Sequence, residues 1–168
     1  MKRIAQFEKV SFDLFYEAYK EDFGGSRDEI ERIYNAIELP KRATAGSAGY
    51  DFHTPVAIHL EPGQTVKIPT GIRARMDADW VLMVFPRSGL GFKYRLQLNN
   101  TVGIIDSDYY YSDNEGHIFI KITNDSNEQK TIDLSAGSGF AQGLFVPYGI
   151  TTDDDTDAQR NGGFGSTG

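Results

Sequence analysis

The chain has 168 residues, which fits one domain by the prior of roughly 150 residues per domain. Its 39% hydrophobic and 24% charged residues describe an ordinary folded, water-soluble protein rather than a disordered one. Cysteine is absent, which excludes a disulfide scaffold, a zinc-thiolate site and thiol catalysis. The net charge of −7 argues against nucleic-acid and acidic-membrane partners, which need a basic face.

Met1-Lys-Arg-Ile-Ala-Gln-Phe-Glu8 has no apolar signal core, and no run approaches the ~18 apolar residues of a membrane span. The expected location is the cytoplasm. Residues 1–40 read as an N-terminal extension with two short helices. Phe12, Phe15, Tyr16 and Tyr19 recur at i, i+3, i+4, i+7 after Ser11, one apolar helical face. Gly24-Gly25 breaks this helix. Ser26-Arg-Asp-Glu29 has the spacing of a capping box, and Ile30, Ile33, Tyr34 and Ile37 repeat the apolar face until Leu39-Pro40.

Residues 41–150 change to short strand-like runs. Val56–Leu60 and Thr65–Ile68 flank Glu61-Pro-Gly-Gln64, where proline presets φ and glycine accepts a positive φ. Gly71–Met76, Trp80–Phe85, His117–Thr123 and Phe140–Val146 follow. Short strands punctuated by Gly, Pro, Asn and Asp predict an all-β sandwich or barrel. Residues 151–168 open with Thr151-Thr-Asp-Asp-Asp-Thr-Asp157, an acidic linker, and end in a glycine-rich arm.

No nucleophile elbow and no Walker loop occur. Gly163-Phe-Gly-Ser-Thr-Gly168 matches G-x-G-x-x-G, but no helix can follow it, so the dinucleotide-binding mechanism does not apply. His53, His59 and His117 lack metal-site spacing and read as ordinary strand or surface residues. Five glycine-containing segments combine with polar groups at the ends of strand-like runs: Ala45–Asp51, Pro86–Gly91, Asn100–Tyr109, Gly139–Gly143 and the C-terminal arm. Each alone could be a turn. Together they supply a set that suits a nucleoside polyphosphate. Arg87 and Arg160 can make bidentate phosphate contacts, Ser88, Ser166 and Thr167 can donate to phosphate oxygens, and Tyr109 and Phe164 can pack on sugar and base.

In the order AGSAGYD, PRSGLG, GIIDSDY and GGFGSTG, running from about Ala43 to Gly168, these segments resemble the trimeric dUTPases, the dUTP diphosphatases. The resemblance implies a jelly-roll barrel, here with a helical hairpin before it and a flexible C-terminal arm. It implies a homotrimer with active sites shared between subunits, dUTP as substrate, and dUMP and pyrophosphate as products. It places a uracil-reading β-hairpin pocket at Asn100, Gly103 and Ile105, with the Tyr109 ring beneath the deoxyribose. Asp106 matches the carboxylate that activates the attacking water. Arg87, Ser88, Gly89 and Gln142 match phosphate-binding positions. Asp51 matches the residue that helps hold Mg²⁺ on the triphosphate through water. Arg160, Phe164, Gly165, Ser166 and Thr167 match the arm that closes over the nucleotide.

The chain departs from that pattern in four places. The helical pair replaces a short strand. Tyr110-Tyr-Ser-Asp-Asn-Glu-Gly116 looks like an insertion forming a hairpin. Gly139-Phe140 stands where a basic residue is usual, and the arm is one residue short. Two other readings stay open: a dCTP deaminase on the same fold, which would need a glutamate general base, and a nucleotide-gated module that engages a protein partner through the extension.

Overall fold

The computed structural model describes residues 2–163. The chain begins with a strand that the residue pattern does not announce. β1 (Ala5–Lys9) pairs antiparallel with β6 (Ile72–Met76), from Ala5 opposite Met76 to Lys9 opposite Ile72. Only then does the helical pair leave the sheet. Ser11 caps α1 (Phe12–Phe23), its hydroxyl accepting from the Leu14 amide. Phe15 and Tyr19 are buried, so the apolar face points into the body. Gly24, at φ 69°, ends α1 by donating its amide to the Lys20 carbonyl. The capping box forms as its spacing predicts: Ser26 Oγ accepts from the Glu29 amide, and the Glu29 carboxylate accepts from the Ser26 amide. α2 (Arg27–Ala36) stops before Leu39-Pro40, with Ile37 as its C-cap and Ile30 fully buried. Truncating a fully buried aromatic such as Phe15 to alanine would cost about 3–5 kcal/mol.

Strands dominate the rest. The largest sheet has the order β2-β3-β12-β7-β9, built from β2 (Lys41–Arg42), β3 (Tyr50–His53), β12 (Gly139–Pro147), β7 (Trp80–Pro86) and β9 (Gly103–Ile105). A second sheet orders β5 (Thr65–Pro69), β10 (Phe119–Asn124) and β8 (Leu96–Leu98). β4 (Ile58–Leu60) pairs with β11 (Ile132–Leu134). Every pairing is antiparallel. Leu82, Val84, Ile120 and Ile122 are buried at alternating positions of their strands, together with Phe52 and, at the irregularity in β12, both Phe140 and Ala141.

Three segments fold differently from their sequence reading. Ser88–Tyr94, read as a glycine-rich loop, winds into a short helix, α3. The Asn100 segment joins two sheets, because β8 pairs with β10 while β9 pairs with β7; it is not a hairpin of paired neighbours. Tyr110–Gly116, expected as an inserted hairpin, is not a hairpin either. A 3-10 helix covers Ser107–Tyr111, and a wound turn follows. Side chains explain the turn: Ser112 Oγ lies 2.7 Å from the Tyr109 carbonyl, competing with any strand ladder. His117 also departs from the surface reading, since it is fully buried at the end of this turn. Residues 151–157 carry no strand or helix and are exposed. No helix of the described residues is long and apolar enough to cross a membrane.

Candidate active site

Sheet register builds the first cluster. Gln142 on β12 sits opposite Asp51 on β3 and opposite Phe85 on β7, so three sequence-distant segments meet at one end of the sheet. Gln142 Nε2 donates to the Pro86 carbonyl at 3.1 Å. Asp51 Oδ1 pairs with Arg87 Nε at 3.3 Å. The Arg87 amide donates to the Phe140 carbonyl, and its guanidinium lies over Gly139, where an added Cβ would come 2.6 Å from Nη1. A side chain at Gly139 would have to displace the end of the Arg87 guanidinium. Arg87 also precedes α3, so Ser88 and Gly89 occupy a first helical turn whose amides lack intrahelical partners. This end presents a guanidinium and an amide that suit phosphate, beside a carboxylate that partly neutralises the guanidinium.

A wound loop builds the second cluster. β9 delivers Asp106, and the 3-10 helix delivers Asp108 and Tyr109. Asp106 is half-exposed. Arg160 donates to both carboxylates, from Nη2 to Asp106 Oδ2 at 2.6 Å and from Nε to Asp108 Oδ1 at 2.8 Å. Its guanidinium also lies 6.0 Å from the centre of the Tyr109 ring. Tyr109 is buried, and burial holds its hydroxyl above the usual phenol range. That hydroxyl donates to the His117 carbonyl at 2.6 Å and accepts from Asn114 Nδ2 at 2.8 Å. Gly163 lies against the ring so closely that a Cβ there would approach Cε2 to 2.1 Å. Beside this cluster opens a cavity of about 540 Å³ lined by Lys67, Asn99, Asn100, Asn114, Phe119, Lys121 and Gly163. Gly103 and Ile105 are buried strand residues facing Val84 and Leu82.

Within one chain the two clusters stay apart. Ile105 pairs with Leu82 near the start of β7, and Asp106 continues past it; Arg87 follows Pro86 at the other end. At ~3.4 Å per residue this separates Asp106 from Arg87 by roughly 15–20 Å. The two arginines that the sequence reading assigns to one polyphosphate therefore lie at opposite ends of a strand. Phe164, Gly165, Ser166 and Thr167 lie outside the described residues. Sequence reasoning missed Asp108 and Asn114. The Asp-x-Asp spacing of Asp106 and Asp108 was a usable signal for the first. Asn114 carries no local signal, because its role depends on a hydrogen bond across the turn.

A protein-family model described as dUTPase matches residues 35–168. The chain belongs to the dUTPase family. It is 42% identical over 143 residues to the deoxyuridine 5'-triphosphate nucleotidohydrolase of Lactococcus lactis, covering 83% of this chain and 94% of that protein. It is likewise 42% identical over 146 residues to that of Hahella chejuensis, covering 82% and 91%. Among solved structures, the Streptococcus mutans dUTPase superposes with a TM-score of 0.60 at 42% identity, covering 67% of this chain and 88% of that one. A mutant dUTPase from phage phi11 of S. aureus, described with a structural Mg(II) ion, shares the fold at a TM-score of 0.63 and 19% identity over 93% of this chain and 98% of its own. α1 and most of α2 precede the span that the family model matches.

Among the described residues no group of three or more His, Asp or Glu side chains could hold a metal ion. Asp51 is a single carboxylate already beside a guanidinium. That donor set fits a cation carried mainly by substrate oxygens and water, not one chelated by the chain.

Proposed function

We propose that this dUTPase-family chain hydrolyses dUTP to dUMP and pyrophosphate with Asp106 as general base. The carboxylate takes a proton from water as the water oxygen attacks the α-phosphorus in line. The bond from that phosphorus to the bridging oxygen breaks, and pyrophosphate leaves with the bond's electrons. The observation that carries this reading is the placement of Asp106, half-exposed and gripped by Arg160, beside a cavity lined by three asparagines and by Gly163, which lies against the buried Tyr109 ring. Arg160 occupies the Asp106 carboxylate. A bound polyphosphate competes for that guanidinium and frees Asp106 to accept the water's proton.

Uracil is read by the Asn100–Ile105 segment, and the Tyr109 ring leaves no room for a 2′-hydroxyl. Rejection by clash discriminates without a new attractive contact. Arg87, Ser88, Gly89 and Gln142 bind phosphates. Asp51 would help hold a Mg²⁺ brought with the triphosphate, and the ion would neutralise phosphate charge. Because Asp106 and Arg87 lie far apart in one chain, a single triphosphate reaches both only where two subunits meet. That supports a homotrimer with shared sites and an arm, Arg160 with Phe164–Thr167, that closes over nucleotide. We read the sheets as the family's jelly roll, with residues 1–40 as an extension of the body at 41–150.

A deaminase reading finds no support around Asp106. The neighbouring carboxylate is another aspartate, and Glu115 already accepts two hydrogen bonds from Ser11. The test is a panel of dUTP, dTTP, UTP and dCTP on the purified assembly with Mg²⁺, detecting pyrophosphate and ammonia. dUTP should be consumed far ahead of the others. Absence of pyrophosphate from dUTP, or ammonia from dCTP, would overturn the reading.

A further inference from the structure

We infer that Asn114 is a positioning residue for the nucleoside pocket, and that helix α1 holds it in place through Glu115. The inference rests on the dUTP reading above, in which Tyr109 carries the sugar. Tyr109 sits on a five-residue 3-10 helix, a short element whose geometry alone fixes a ring poorly. Its hydroxyl is fixed from two sides, by the His117 carbonyl and by Asn114 Nδ2. The rest of the Asn114 amide is used within the turn. Oδ1 accepts from the Gly116 amide at 3.2 Å and lies 2.7 Å from Ser112 Oγ. Asn114 lines the cavity, yet most of its hydrogen-bonding capacity goes to the loop and to Tyr109. It therefore acts through the ring.

The turn that presents Asn114 is strained. Glu115 has φ 58° and Gly116 φ 72°, two successive left-handed residues, and only the second is a glycine. A Cβ at Gly116 would come 2.7 Å from Tyr110 Cα, so the chain is wound directly onto the 3-10 helix. Glu115 is held in this conformation by its own amide, which donates to the Ser112 carbonyl at 2.9 Å, and by Ser11, the residue that caps α1. The Ser11 amide and hydroxyl each donate to its carboxylate at 2.7 Å. One turn further along α1, Phe15 packs on His117 with ring centres 6.3 Å apart. His117 in turn accepts from the Gly71 amide and supplies the carbonyl that receives the Tyr109 hydroxyl. Two features outside the common family pattern, the helical pair and the Tyr110–Gly116 insertion, thus make one buttress beneath the sugar position.

The decisive variant is Asn114→Asp. Aspartate keeps both acceptor contacts of Oδ1 but cannot donate to the Tyr109 hydroxyl. Steady-state kinetics with dUTP and UTP should show KM for dUTP raised by about tenfold, as expected for one lost hydrogen bond, with kcat within about twofold. The preference for dUTP over UTP should fall by a similar factor. Glu115→Ala should act in the same direction more weakly. Tyr109→Phe combined with Asn114→Asp should be no worse than Tyr109→Phe alone. If Asn114→Asp fails to assemble, Asn114→Ala takes its place in the same cycle. Unchanged dUTP KM and UTP discrimination, or losses that add in the double variant, would overturn the inference. A wild-type protein inert toward dUTP would instead sink the reading on which it rests.

Discussion

The two ends of β7 are built by different means. At the Pro86 end, Asp51, Gln142 and Arg87 are placed by the register of three antiparallel strands, and a one-residue slip would turn Asp51 and Gln142 to the opposite face. At the Asp106 end, β9 is three residues long, and position comes from side-chain hydrogen bonds among Tyr109, Ser112, Asn114, Glu115 and Ser11. The first end is rigid because the backbone ladder makes it so. The second can be altered by single side chains. The start of α1 and the Tyr110–Gly116 turn both attach at the loop-built end.

The largest effect should come from the loop-built end. Asp106→Asn keeps shape and removes the proposed base, so turnover of dUTP should fall by about 10³-fold while nucleotide binding persists. Calorimetric titration beside pyrophosphate release measures both. Retained turnover would break the assignment of chemistry to this end.

Mixing tests whether the two ends serve one site across subunits. If the proposed shared-site trimer forms, Asp106→Asn chains and Arg87→Ala chains, each impaired alone, should regain activity when unfolded together and refolded as a mixture. With one residue drawn from each of two chains, random assembly leaves about a quarter of the sites intact. Activity no higher than the average of the two parents would show that both residues serve a site within one chain.

The smallest effect, and the one that separates the ends most sharply, is on stability against acid. Burial pushes the His117 imidazole down to about 3, with Glu115 opposing and Lys67 adding to the shift. Its folded value lies below the unfolded one near 6.5, so the unfolded chain binds the proton first. The associated stability is complete above pH 6.5 and is lost as pH falls toward 3. At pH 5 the chain should be about 2 kcal/mol less stable than at pH 7 from this group alone. His117→Gln keeps an acceptor for the Gly71 amide and does not titrate, so its denaturation midpoints should vary less over that range. Hydrogen exchange should show the acid loss first at residues 107–117 and not along β12. Equal loss in both regions would remove the distinction drawn between them.

Much of this was legible beforehand because its signals are local. The Ser26–Glu29 box, the Phe12–Tyr19 face and the apolar run from Trp80 need only neighbouring residues to act. β1 escaped notice because Ala5–Lys9 mixes charge with apolar residues, and its pairing with β6 is a long-range event. α3 escaped because glycines at 89 and 91 read as loop, while tertiary contacts at Arg87 fix its start. The ordered segments identified Asp106, Arg87, Gln142 and Asp51 as residue types, but could not place them relative to one another.

The amino-acid string on its own determined the composition class, the helix caps, half of the strands among the described residues and the residue chemistry, since each follows from propensity, period or spacing along a few residues. Only the folded chain decided that Arg87 and Arg160 face opposite ends of one strand. It also decided that a buried histidine and a strained glutamate brace Tyr109, because those relations depend on sheet register and on hydrogen bonds between residues up to 104 positions apart.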